Sequence, residues 1–187
     1  MISVAQLCIP ILLAAALVFV ASSLIPTAFK WHNSDYHKLS NEDEVRAALR
    51  KGSPSPGQYV IPYCMDPKER ASPETQRKYV EGPVGMIFVM PNGPPNMGPA
   101  LGKWFGFCIV VSIFVAYVAS RTLAPGTEYL RVFQVAGTVA FVSYGLGEVP
   151  IAIWFGKPWL STLKDLADGL IYGLLTAGTF GWLWPAA

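Results

Sequence analysis

YLRVFQVAGTVAFVSYGLGEVPIAIWFGKPWLSTLKDLADGLIYGLLTAGTFGWLW, residues Tyr129 to Trp184, decides the fold. Two apolar runs flank the turn-forming segment Gly156, Lys157, Pro158, Trp159. A turn this short makes the runs antiparallel helices, at about 129–155 and 162–184. Each is longer than the roughly 20 residues that cross a bilayer core. Trp154, Trp159, Trp182 and Trp184 sit near the ends, where amphipathic rings prefer the membrane interface. Thr162 and Asp165 have capping-box spacing, which places the start of the second arm.

Three acids interrupt this hairpin: Glu148, Asp165 and Asp168. At about 1.5 Å of rise per residue, Glu148 and Asp168 lie on the order of 10 Å inside the helix ends. Carboxylates at that depth cost several kcal/mol unless they face the bundle interior or water. Gln134, Thr138, Phe141, Tyr144 and Glu148 share one helical face, as do Asp165, Asp168, Tyr172, Thr176 and Thr179. Both stripes are expected to point inward. Lys164 is placed to pair with Asp168 at i, i+4. Pro150 frees the carbonyl of Leu146 and should bend the first arm beside Glu148. The cluster Glu148, Asp165, Asp168, Lys164, Tyr144 and Tyr172 has two readings. It is a proton, ion or polar-ligand site, or it is a self-satisfied polar group that fixes helix register.

Composition extends the membrane reading to the whole chain. Of 187 residues, 52% are hydrophobic and only 14% charged, with a mean hydropathy of +0.39. Residues 3–25 are apolar, lack a basic leader and outrun a signal-peptide core, so they read as a first membrane helix. Residues 99–121 form another. Small residues recur every fourth position at Gly98, Gly102 and Gly106, and again at Gly169, Gly173, Ala177 and Gly181. That spacing lets helices approach closely in lipid.

Between the first two membrane helices the chain turns polar, proline-rich and glycine-rich. Ser40 with Asp43 signals a helix at about 41–51, with Gly52 just beyond its end. Gln58–Tyr63 and Val84–Met90 read as short strands, and Pro73–Val80 as a helix opened by Pro73. The division is therefore 1–28 for the first membrane helix, 29–97 for an extramembrane insertion, and 98–187 for a three-helix membrane unit. The fold class is an α-helical integral membrane protein with four transmembrane helices and a small α+β insertion between helices 1 and 2. Helices 2 to 4 are expected to form the compact part.

Several chemistries lack support. A net charge of +2 without a basic patch gives no nucleic-acid surface. Cys8, Cys64 and Cys108 form no CxxC pair, so zinc, iron–sulfur and thioredoxin readings have no basis. His32, Asp35 and His37 are a thin metal set at unsuitable spacing, read rather as a polar cap on the first membrane helix. No nucleophile–base pair is legible. No cofactor and no enzymatic activity are expected.

The motifs Trp31-His32-x-Ser34-Asp35-Tyr36, Gly82-Pro83-x-Gly85, Gly93-Pro94-Pro95-Asn96-Met97-Gly98 and Ile153-Trp154-Phe155-Gly156-Lys157-Pro158-Trp159 span most of residues 30–184. Together they resemble a group of small, uncharacterised bacterial four-helix inner-membrane proteins. The resemblance implies a multi-pass bacterial inner-membrane location and carries neither an activity nor a functional residue. Lysines at Lys30, Lys38, Lys103, Lys157 and Lys164, opposed by Arg121 and Arg131, put the insertion in the cytoplasm. Two functions are expected from different classes. One is a non-catalytic accessory or assembly subunit of a larger bacterial membrane complex, of energy-transducing, respiratory or photosynthetic type, touching lipid and other membrane subunits. The other is a small oligomeric transporter or proton-coupled carrier using Glu148 and Asp168.

Overall fold

The structure, a computed structural model, describes residues 2–187. In chain order its elements are α1 (Cys8–Phe29), α2 (Glu42–Gly52), β1 (Gly57–Ile61), α3 (Pro67–Arg70), α4 (Pro73–Glu81), β2 (Gly85–Val89), α5 (Met97–Thr122), α6 (Tyr129–Tyr144), α7 (Val149–Phe155) and α8 (Trp159–Trp182). Short 3₁₀ turns at Val4–Leu7, Trp31–Asp35 and Leu146–Glu148 link some of them. The chain divides into two compact units. One holds the residues up to Tyr36 together with Asn96–Ala187, and the other holds His37–Pro95.

The first unit is a helical bundle. Helical runs Val4–Phe29, Met97–Thr122 and Tyr129–Phe155 are long and apolar enough to cross a membrane. α8 is comparably long at 24 residues, but Lys164, Asp165, Asp168 and its glycines lower its mean hydropathy, and it is not among them. α1 packs on both α5 and α8, and α6 also packs on both. The first helix is thus a full member of the bundle and not an outlier beside a three-helix unit. Its sides Leu7, Ile11, Ala14 and Val18 are buried against α5 and the later helices.

The α5–α6 turn and the C-terminus meet at one end. There Gly126 N–H donates to the Pro185 carbonyl (2.8 Å) and Trp184 Nε1–H to the Ala124 carbonyl (2.9 Å). The turn after α1 meets the start of α8 at the other.

The two glycine stripes part company. A Cβ on Gly169 would fall 2.7 Å from Gly145 Cα, and one on Gly181 would fall 2.7 Å from the Tyr129 ring. One on Gly173 would press on Phe141 (3.2 Å), and Ala177 Cβ already occupies the space a side chain at Gly137 would need (3.0 Å). This stripe joins α8 to α6. On α5, a Cβ at Gly102 or Gly106 would meet nothing within 4 Å, and at Gly98 only Asn96 Oδ1 at 3.6 Å. Among the described residues, then, no other helix packs closely on Gly98, Gly102 or Gly106.

Other expectations shift at element ends. The 129–155 helix is broken after Tyr144 and resumes at Val149, with Pro150 in its new first turn. Pro150 has no N–H to give the Leu146 carbonyl, which interrupts the helix here, and Gly145 at the break lies close against Gly169. The second polar stripe is inward and the first only in part, with Phe141, Tyr144 and Glu148 half-buried. Asp168, Tyr172, Thr176 and Thr179 are buried, but Gln134 and Thr138 are exposed, and small apolar residues (Ala136, Ala140) take the buried face. α8 begins at Trp159 rather than Thr162, whose Oγ1–H bonds back to the Pro158 carbonyl (3.3 Å) instead of capping.

The insertion pairs β1 with β2 antiparallel, Gly57 opposite Val89 and Ile61 opposite Gly85. Ser72 Oγ caps α4 by accepting from Thr75 N–H, with Pro73 in the first turn. α2 has no side-chain cap, and its left-handed terminal residue is Ser53 (φ 46°) rather than Gly52. In this unit only Cys64 and Thr75 are buried.

Candidate functional site

Lys30 takes a left-handed conformation (φ 53°) and turns the chain back into the Trp31–Asp35 turn. On the facing helix, Ser161, Lys164, Asp165 and Asp168 recur at helical spacing and share one side of the first turns of α8. Lys164 Nζ–H donates to the Trp31 carbonyl (2.7 Å), Ser34 Oγ (2.8 Å) and Asp35 Oδ1 (2.6 Å). His32 stands between two acids: Nδ1 is 2.8 Å from Asp35 Oδ2 and Nε2 is 3.0 Å from Asp168 Oδ2. The result is a continuous chain, Lys164–Asp35–His32–Asp168.

The electrostatics fit that arrangement. Burial disfavours the charged imidazole, but hydrogen bonds to Asp35 and Asp168 and the charges of Asp168 and Asp165 outweigh it, so the His32 pKa is raised. In the charged form both ring nitrogens donate. Lys164 beside Asp35 holds that carboxyl down to about 2, with help from His32 and Ser161.

A second group sits alongside. Gly156 adopts a left-handed conformation (φ 72°) that an L side chain would resist, and so brings Lys157 back over the helix ends. Lys157 Nζ lies 2.5 Å from Glu148 Oε2 and 2.6 Å from Asp165 Oδ2. Burial pulls its pKa down, but the two carboxylates raise it further.

Two clefts reach this polar end. One, of about 290 Å³, is lined by Trp104, Phe107, Tyr144 and Tyr172 together with Glu148, Asp165 and Asp168. The other, of about 200 Å³, lies among His32, Asp35, Lys157, Ser161 and Asp165. Asp165 is common to both. At the first, Asp168 Oδ1 is buried without a hydrogen-bond partner. The insertion carries a separate cleft of about 560 Å³ beside Arg46 and Arg50, none of whose lining residues is buried.

The structure therefore brings Glu148, Asp165, Asp168, Lys164, Tyr144 and Tyr172 to one end of the bundle, with two corrections. Lys164 pairs with Asp35, not Asp168, because the turn after α1 offers it three acceptors at once. Asp168 is taken by His32. Trp31, His32, Asp35 and Lys157 are the members that spacing did not reveal. The available signal was the i, i+3, i+4, i+7 polar face opening α8, which demanded partners from outside its own helix. His32 and Asp35 are joined to each other, but His37 falls in the other unit. Among the described residues no group of three His, Cys, Asp or Glu side chains is placed to hold a metal ion. The chain matches no protein-family model, no curated protein and no solved structure.

Proposed function

We propose that this chain is a non-catalytic accessory or assembly subunit of a larger bacterial inner-membrane complex. The observation that carries the reading is the exposed apolar surface of the insertion. Tyr63 (75% exposed), Val80 (86%), Phe88 (62%) and Met90 (78%) lie on a unit with almost no core of its own. Large exposed apolar groups on a small polar unit fit a surface that another protein covers. The open glycine face of α5 supports the same reading, since small residues at this spacing admit a neighbouring helix.

In this reading α8 is a fourth span. Its length of 24 residues matches its neighbours, and its charges are paired at one end. Both chain termini then lie outside and the insertion lies in the cytoplasm. Photo-crosslinking residues placed at Phe88 and at Gly106 test the proposal in native membranes. Discrete adducts with other membrane subunits are expected from both positions. Adducts with lipid alone from both would overturn it.

A second reading, a small oligomeric carrier using Glu148 and Asp168, is favoured by one feature. Both acids, with Asp165 between the two clefts, line the same depression. Proton or solute flux in proteoliposomes that vanishes on Glu148→Gln would support it.

A further inference from the structure

We infer that the cleft walled by Trp104, Phe107, Tyr144 and Tyr172 is a binding site for an organic ammonium group, with Asp168 Oδ1 as its anionic anchor. The inference is independent of the accessory-subunit reading.

Asp168 is nine-tenths buried (9% exposed) and lines the cleft. One of its oxygens is held by His32 Nε2, and the other, Oδ1, has no partner. A buried carboxylate oxygen left unpaired is costly, and a cation held against that carboxylate offsets the cost. The remaining acids at the cleft, Glu148 and Asp165, share a single cation, Lys157. Among the described residues none that lines the cleft is basic. The lining therefore favours a positive guest.

The aromatic walls specify which kind. The Phe107 and Tyr144 rings meet at 83° with centroids 5.9 Å apart, Tyr144 and Tyr172 at 79° and 5.6 Å, and Trp104 and Tyr172 at 64° and 6.4 Å. Trp104 and Phe107 are tilted by only 31° at 5.5 Å, and Trp104 and Tyr144 by 57° at 6.3 Å, so the four rings line the cleft with both faces and edges. Ring π-faces attract an alkylammonium, whose charge is spread over C–H groups. A bare metal ion would need more oxygen ligands than Asp168 alone leaves free. A volume of about 290 Å³ suits a head group of a few heavy atoms. That head group is either a free amine or the ammonium of an amino-lipid.

Equilibrium dialysis of the full chain in detergent with radiolabelled choline tests the site. Saturable binding is expected, displaced by ethanolamine but not by 3,3-dimethylbutan-1-ol, the neutral isostere of choline. Sodium chloride at matched ionic strength should not displace it. Asp168→Asn should weaken binding at least about tenfold. Phe107→Leu, at a half-exposed position, should weaken it about threefold to tenfold. The source is read from nanodiscs. Choline binding in phosphatidylglycerol discs that is lost in phosphatidylethanolamine discs assigns the site to a lipid head group, and equal binding in both assigns it to a free amine. Four results would overturn the inference: no saturable binding in detergent or in phosphatidylglycerol discs, competition by the neutral alcohol, displacement by sodium, or wild-type affinity in both variants.

Discussion

Lys164 Nζ lies 2.6 Å from Asp35 Oδ1 across 129 residues of sequence. The pair fastens the turn after α1 to the first turns of α8, and both side chains are largely shielded from solvent. Lys164 also satisfies the Trp31 carbonyl. Lys164→Met should therefore destabilise the bundle by about 1–3 kcal/mol, through the acceptors it strands. Thermal unfolding in detergent would show this. An unchanged midpoint would mean the fastening is incidental.

The same turn should give the protein a characteristic pH profile. Asp35 is held at about 2 against an ordinary 3.8. Its contribution is complete above 3.8 and is lost as pH falls through about 2. His32 is raised from 6.5, faced by Asp35, Asp168 and Asp165. Its contribution is complete below 6.5 and is lost as pH rises through the raised value. The unfolding midpoint should thus be highest between about 4 and 6.5 and decline on both sides. His32→Gln should flatten the alkaline decline and leave the acid limb. An alkaline limb that survives His32→Gln unchanged would contradict the pairing.

Glycine substitutions should separate the two stripes. A methyl on Gly169 would meet backbone atoms of Gly145 that cannot move aside, so Gly169→Ala should cost about 1–3 kcal/mol. Gly102→Ala and Gly106→Ala enter open space and should leave the unfolding of the isolated chain unchanged. Equal losses at all three positions would show that α5 is packed by something within the chain.

Much of the architecture is legible from local pattern. Long apolar runs, the Pro73 helix start and the two strands all appear near their expected places, because each depends on a few neighbouring residues. What was not legible depends on distance. The i, i+4 rule offered Lys164 to Asp168, but three acceptors on a remote turn outweigh one neighbour. Thr162 and Asp165 have capping spacing, yet Pro158 starts the helix a turn earlier, and Asp165 goes to Lys157. The glycine repeats on α5 and α8 look alike in sequence, and only the position of Gly145 and Tyr129 tells which one is filled.

Lys157 serves two acids, so its loss and theirs should differ. Glu148 is 40% exposed, and Glu148→Gln leaves Lys157 paired with Asp165. It should cost about 0–1 kcal/mol. Lys157→Met leaves both carboxylates facing each other without a cation and should cost more than Glu148→Gln. Comparing the two unfolding midpoints checks this, and the reverse order would show that Lys157 is not the bridge.

The most direct measurement is native mass analysis of the protein after gentle extraction from the membrane in which it is made. An assembly containing this chain and at least one other membrane subunit is expected, and it should dissociate when Phe88 and Gly106 are replaced by aspartate and leucine. A stable monomer carrying only lipid would contradict the accessory-subunit function.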